Sequence, residues 1–351
     1  MCQILQRDGD FLVVGPPGTG RRTLIQQAAE RVGARMLEID CLRTTNASQF
    51  LRLLADGLTD IFAEPKELNL IQQWMAGQPL TLEPRTAHRM QLAWHIAPGK
   101  EWAIFQALLA LPQQMAEWLD CRVVVVFQNF PHMRSWDRQG KWEVHLRQEI
   151  QQQSRVSYAL VATVAEPWVY ASNLQVIHLA PLSPEELTPW LVATLEAEGL
   201  QFDLDDGALA LFLDCVQGHL GDAIALARRI WLDRSCSMVK EEARSEDGKR
   251  IIQAHHVHRS MLALIEDLVY TFEALILLLP PSQVRVLESL ALDPTNSPQS
   301  RDYIKKHQLS RGGGLQGALN SLEQKGLIYG PKFGYRIALP FLGFWLKQRL
   351  R

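Results

Sequence analysis

Four apolar residues, Phe11–Val14, run straight into the turn Gly15-Pro16-Pro17-Gly18-Thr19-Gly20, and a helical pattern follows with apolar positions at Leu24, Ala28, Ala29 and Val32. A buried strand that turns tightly into a helix is half of a crossover unit and needs a parallel sheet to receive it. The spacing G-x-x-x-x-G also has a chemical meaning. Its glycines let backbone N–H groups point inward around a phosphate, and the next helix aims its positive end at the same place. In the complete pattern a Lys reaches the outer phosphates and a Ser or Thr holds magnesium. Here those positions are Arg21 and Arg22, with Thr23 one residue late. An arginine keeps the charge in a planar fork instead of a point, and at the magnesium position it offers no oxygen and repels the cation.

Further strand-like runs lie at Arg35–Asp40, Arg122–Phe127, Val156–Val164 and Leu174–Leu179, separated by helical patterns at Ala47–Phe62, Glu101–Leu119 and Lys141–Ser154. Near-continuous apolar strands alternating with helices predict a parallel sheet covered on both faces. Cys41 to Arg122 is about 80 residues, where one crossover helix needs about half of that. An insertion at about 64–100 is expected there, irregular or helical. Together with the flanking residue Trp102, its Trp74 and Trp94 fill a local core or offer a partner surface.

After Ala180 the pattern turns all-helical. Ser183, Pro184 and Glu186 make a helix start with a capping box, and helices are expected at about 184–199, 205–216 and 220–232. Asp233–Arg250 holds ten charged residues in eighteen and reads as an exposed loop or mobile helix. A helix from Ile251 to Leu279 follows. Three helices and a hairpin at 327–338 then give the layout of a winged helix-turn-helix. The expected divisions are 1–180, 181–265 and 266–351.

Composition narrows the class. The hydrophobic share of 47% and charged share of 21% are globular values. The longest apolar run, Ala274–Leu279, is too short to span a membrane. Five scattered cysteines without a C-x-x-C, and no secretion-type N-terminus, suggest reduced thiols in a cytoplasm. His255, His256 and His258 lack acidic or thiol neighbours at ligand spacing and read as surface or satisfied histidines. The net charge of −2 hides an asymmetry. Pro281–Arg351 carries 11 basic against 4 acidic residues, a formal +7, which leaves −9 on the rest. A basic module on an acidic body suits an anionic partner.

The GPPGTG turn, the strand with a polar end, the helical segment and the winged helix together resemble the AAA+ P-loop ATPases, in the branch that includes origin-recognition and archaeal-type ATPases. The resemblance implies an α/β P-loop NTPase fold with a parallel sheet, an all-helical lid and a C-terminal winged helix. It implies that Gly15, Pro16, Pro17, Gly18, Thr19, Gly20, Arg21, Arg22 and Thr23 contact ATP or ADP. The positions of the family's magnesium-binding Asp and water-activating Glu are Gln128 and Asn129, which keep the shape and lose the charge. The sensor of the next strand survives as Thr163. Arg155 is the nearest candidate for the finger arginine, and Gly221 stands where the lid arginine would be. His219 faces the nucleotide region if the resemblance holds. Magnesium is expected to be poorly bound, with Asp40 as the one substitute carboxylate.

In the C-terminal module, Gln316 and Asn320 are expected on the exposed side of a recognition helix. Lys305, Lys306, Arg311 and Lys332 surround it as contacts for DNA or a partner. The leading expectation is a non-hydrolysing structural or regulatory subunit that acts through protein contacts, with another protein or as a homo- or hetero-oligomer. The rivals are an ATP-driven switch and a DNA-binding adaptor.

Overall fold

The computed structural model describes residues 1–86, 89–94, 101–203, 205–235, 248–310 and 312–350, apart from the side chains of 151 and 152. Arg311 and Cys236 therefore lie outside the described residues, as do parts of the 64–100 and 233–250 segments. The chain divides into two compact units, Met1–Val14 with Arg21–His178, and Gly15–Gly20 with Leu179–Arg351.

In chain order the first unit consists of α1 (Cys2–Gln6), β1 (Phe11–Val14), α2 (Arg21–Arg31), β2 (Arg35–Asp40), α3 (Ala47–Ile61), α4 (Pro65–Trp74), β3 (Thr81–Thr86), β4 (Arg89–Ala93), α5 (Glu101–Leu119), β5 (Val123–Gln128), α6 (Lys141–Gln152), β6 (Val156–Ala162) and β7 (Gln175–His178). Five strands form one parallel sheet in the order β2-β5-β6-β1-β7. β5 and β6 are buried at every residue, as central strands of a sheet covered on both faces must be. Above the sheet Phe50 of α3 packs 5.8 Å from Phe105 of α5 and 6.0 Å from Phe127 of β5, ring centre to ring centre.

The inserted segment differs from the expectation. After α4 it forms an antiparallel hairpin of β3 and β4. Pro84 and the polar Thr81, Arg85, Thr86 and Arg89 hide the apolar alternation that marks a strand, and the hairpin is exposed along most of β3. Its tryptophans face inward. Trp74 and Trp94 pack on the sheet's core. Trp102, at the start of α5, lies 5.8 Å from Phe105 and 5.4 Å from Trp142.

The second unit continues with α7 (Pro184–Ala197), β8 (Leu200–Phe202), α8 (Ala208–Val216), α9 (Leu220–Ser235), β9 (Arg250–Ile252), α10 (Ala254–Leu277), α11 (Pro281–Leu292), α12 (Arg301–Lys306), α13 (Gly313–Gln324), β10 (Ile328–Tyr329), β11 (Arg336–Ile337) and α14 (Pro340–Arg349). Ser183 and Glu186 form the expected capping box on α7. Strands do not stop after Ala180, however, because β8 and β9 pair in parallel. Three-residue strands are too short to register as a period. One core runs through the unit, from Leu187, Phe212 and Leu226 to Leu319, Leu322 and Leu346. No helix among the described residues is long and apolar enough to cross a membrane.

Asp10, just before β1, is a testable weak point. Its Oδ1 accepts the Tyr158 N–H at 2.8 Å, yet burial pushes the carboxyl up to about 7. The folded protein thus binds a proton that the unfolded chain releases near pH 4, so stability is lost as pH rises from about 4 to about 7. Asp10→Asn keeps an acceptor for Tyr158 and removes the charge. Urea unfolding should show the variant more stable at pH 8, by an amount on the order of 2 kcal/mol, with the gain vanishing near pH 4.

Candidate functional site

The glycine-rich turn is fastened through its carbonyls. Thr19 Oγ1 donates to the Pro16 carbonyl at 2.9 Å. His219 Nε2 donates to the Pro17 carbonyl at 2.9 Å, and the Gly221 N–H donates to the Gly18 carbonyl at 2.8 Å. Gly18 and Gly20 sit at φ +84° and +82°, in the left-handed region where glycine is nearly strain-free. With three successive carbonyls occupied on one side, the N–H groups of Gly18, Thr19 and Gly20 find no acceptor among the described residues. Successive free amides of this kind are able to accept an anion.

The beginning of α9 meets this turn at contact distance. A Cβ on Gly18 would lie 2.5 Å from the His219 ring, and a Cβ on Gly221 would lie 3.2 Å from Gly18 Cα. A longer residue at Gly221, where the resemblance implies an arginine, would enter only if these neighbours shifted by a few tenths of an ångström. His219 is buried. Burial disfavours its charge, but the Asp222 carboxylate at 3.0 Å and the Pro17 carbonyl outweigh that, so the imidazole is held above its ordinary pKa.

The other implied positions belong to the first unit. Arg21 opens α2, and its Nη1 donates to the Ala162 carbonyl at the end of β6, 3.2 Å away. Burial draws its pKa down. Arg22 pairs with Glu38 of β2 at 2.8 Å, largely in solvent, and Thr23 beside it is exposed. Asp40 and Gln128 are register partners at the ends of β2 and β5. Asn129 follows at φ +52° and donates from Nδ2 to Asp40 Oδ1 at 3.0 Å, which also accepts the Leu42 N–H. Gln128 is buried, and its Nε2 has no acceptor among the described residues. Thr163 is half-buried directly after β6. Arg155 precedes the first residue of β6, about 20 Å of strand from its end, and pairs with Asp120 there.

Sequence reasoning overlooked the partners of the two arginines. Glu38 was visible in principle, two residues before Asp40 and hence on the same face of β2. The Ala162 carbonyl carries no side-chain signal at all.

In the C-terminal module half-buried Gln316 accepts from Gln299 and donates to Oδ1 of exposed Asn320 at 2.6 Å, an amide chain that reaches the surface of α13. Lys306 pairs with Asp293 at 2.6 Å. Lys305 is exposed, and Lys332 lies over the Phe333 ring. His256, which the sequence placed in a histidine cluster, caps α10 by accepting the Gln253 N–H on Nδ1. No group of ligating residues suited to a metal occurs among the described residues.

Known proteins give the class. Residues 10–60 match the family described as AAA domain (dynein-related subfamily), and residues 270–348 match a probable winged helix domain. A Walker-type ATPase of Pyrococcus abyssi is similar in structure, at TM-score 0.63 and 14% identity over 96% of this chain and 90% of that one. The Cdc6p protein of Pyrobaculum aerophilum gives 0.45 at 15% identity over 98% and 89%. The ORC1 protein of Aeropyrum pernix in complex with DNA gives 0.46 at 12% identity over 100% and 92%. No curated protein matches the sequence. The chain has the AAA+ P-loop fold, a parallel five-stranded sheet with a helical segment and a winged helix after it.

The Asp40–Asn129 pair can be tested directly. Asn129→Asp sets two carboxylates where an amide bond to a carboxylate stood. One of them must then hold a proton or repel its neighbour. Thermal unfolding should show a loss of about 1–2 kcal/mol at pH 7 that recedes as pH falls toward 5.

Proposed function

We propose that this chain is a non-hydrolysing AAA+-type subunit, structural or regulatory, whose turn binds the phosphates of ATP or ADP and whose action runs through contacts with other proteins. The observation that carries the reading is the set of substitutions around Asp40. The position of the metal oxygen is an arginine paired with Glu38. The positions of the metal carboxylate and the base are the amides Gln128 and Asn129, and Asn129 spends its N–H on Asp40. One hydrogen-bonded carboxylate beside arginines is a poor donor set for magnesium. Neither amide can take a proton from water at neutral pH. The nest of Gly18, Thr19 and Gly20 amides needs neither metal nor base to attract a phosphate.

Magnesium-dependent ATP turnover should be indistinguishable from that of a Gly15/Gly20 variant. Turnover near one per second, abolished by Arg21→Ala, would refute the reading in favour of an ATP-driven switch. The quadruple variant Arg21→Lys, Arg22→Thr, Gln128→Asp, Asn129→Glu should bind ATP more tightly by titration calorimetry, because it restores the charges that the loop geometry is built for.

The DNA-adaptor reading rests on the +7 charge of the C-terminal module and the amide chain that reaches the surface of α13. Neutralising Lys305, Lys306, Arg311 and Lys332 tests it. A DNA contact predicts weaker binding on every sequence and a shallower dependence of affinity on salt, by about one counterion for each lost phosphate contact. A protein contact predicts unchanged assembly.

A further inference from the structure

Asp222 sits between two things it was not expected to join. One carboxylate oxygen lies 3.0 Å from His219 Nδ1. The other accepts the N–H of Phe341, the second residue of α14, at 3.3 Å. The first N–H groups of a helix have no partner inside it, so Asp222 caps α14 of the winged helix from across the second unit. His219 Nε2 meanwhile holds the Pro17 carbonyl. Turn, imidazole, carboxylate and helix head form one line of hydrogen bonds, with every link inside one compact unit.

The link at Nδ1 has two forms. The ring atom lies 3.0 Å from Asp222 Oδ1 and also 3.1 Å from the Asp222 N–H. A protonated Nδ1 can only donate, and so takes the carboxylate. A bare Nδ1 can only accept, and so takes the N–H. Nε2 carries its proton in both forms, since a carbonyl can only accept.

We propose that His219 and Asp222 are a proton-operated strut that ties the glycine-rich turn to the head of α14, taut when Nδ1 is protonated and slack when it is not. In the slack form the ring turns its lone pair to the Asp222 N–H and the carboxylate loses the cation that orients it toward Phe341. The charged groups around the strut are few. They are Asp222 itself, the Tyr329 hydroxyl, whose pKa burial raises and the Asp222 charge raises further, and Arg336, which lies 5.3 Å from the Tyr329 ring and opposes that rise. The strut depends only on bonds inside the second unit and not on the nucleotide reading.

The sign follows from linkage. The folded imidazole binds its proton more tightly than the unfolded one. The stabilisation is therefore complete below about pH 6.5 and is lost as pH rises through the folded value. Amide exchange, corrected for its intrinsic pH dependence, reads this at Phe341. Protection there should hold level below about pH 6.5 and fall as pH rises from there through the folded value. His219→Gln and Asp222→Asn, which keep hydrogen bonding without charge, should both flatten that profile. If either variant fails to fold, a proton NMR titration of the wild-type chain decides the matter. The Phe341 amide and the His219 ring should share one inflection above pH 6.5. A flat profile in the wild-type chain, an undiminished slope in the variants, or a Phe341 amide with no inflection would each overturn the strut.

Discussion

Everything around the glycine-rich turn depends on which way its peptide groups face. Three carbonyls, at Pro16, Pro17 and Gly18, accept donors from Thr19, His219 and Gly221. A peptide plane is rigid, so fixing the Pro17 and Gly18 oxygens fixes the Gly18 and Thr19 N–H groups on the opposite side. The Pro16 carbonyl, by contrast, shares its plane with the Pro17 nitrogen, which has no hydrogen. The turn's conformation is thus held by bonds to its own carbonyls. Two of those three bonds come from the start of α9, which is why the turn clusters with the helical segment instead of with the strand and helix it connects.

The arginines and the amide Asn129 at the positions the resemblance singles out are each held in place by the fold. Each replacement has its own structural partner: Arg21 the carbonyl of Ala162, Arg22 the carboxylate of Glu38, and Asn129 the carboxylate of Asp40. Gln128 is the exception. Its buried, unbonded Nε2 is a cost of order 1–3 kcal/mol if nothing else reaches it.

The sequence revealed most of this fold because its signals were strong and local. β1 and the first five residues of β5 are unbroken apolar runs, β6 is broken only by Ser157, and the Ser183–Glu186 capping box sits at its two diagnostic positions. The β3–β4 hairpin was illegible because Pro84 and a row of polar residues erase its alternation, and β8 and β9 because three residues have no period. At the site, residue types were legible but pairings were not. Nothing in the sequence says that Arg21 reaches a backbone carbonyl 141 positions away or that Asp222 reaches Phe341. Such contacts are set by the closing of the whole unit.

Gly221 sets what the start of α9 can carry beside the turn. A side chain there would have its first carbon 3.2 Å from both Gly18 Cα and His219 Cε1, so a longer residue enters only if the imidazole or the helix start gives by a few tenths of an ångström. The closeness that docks the helix start on the turn thus also limits what position 221 can carry.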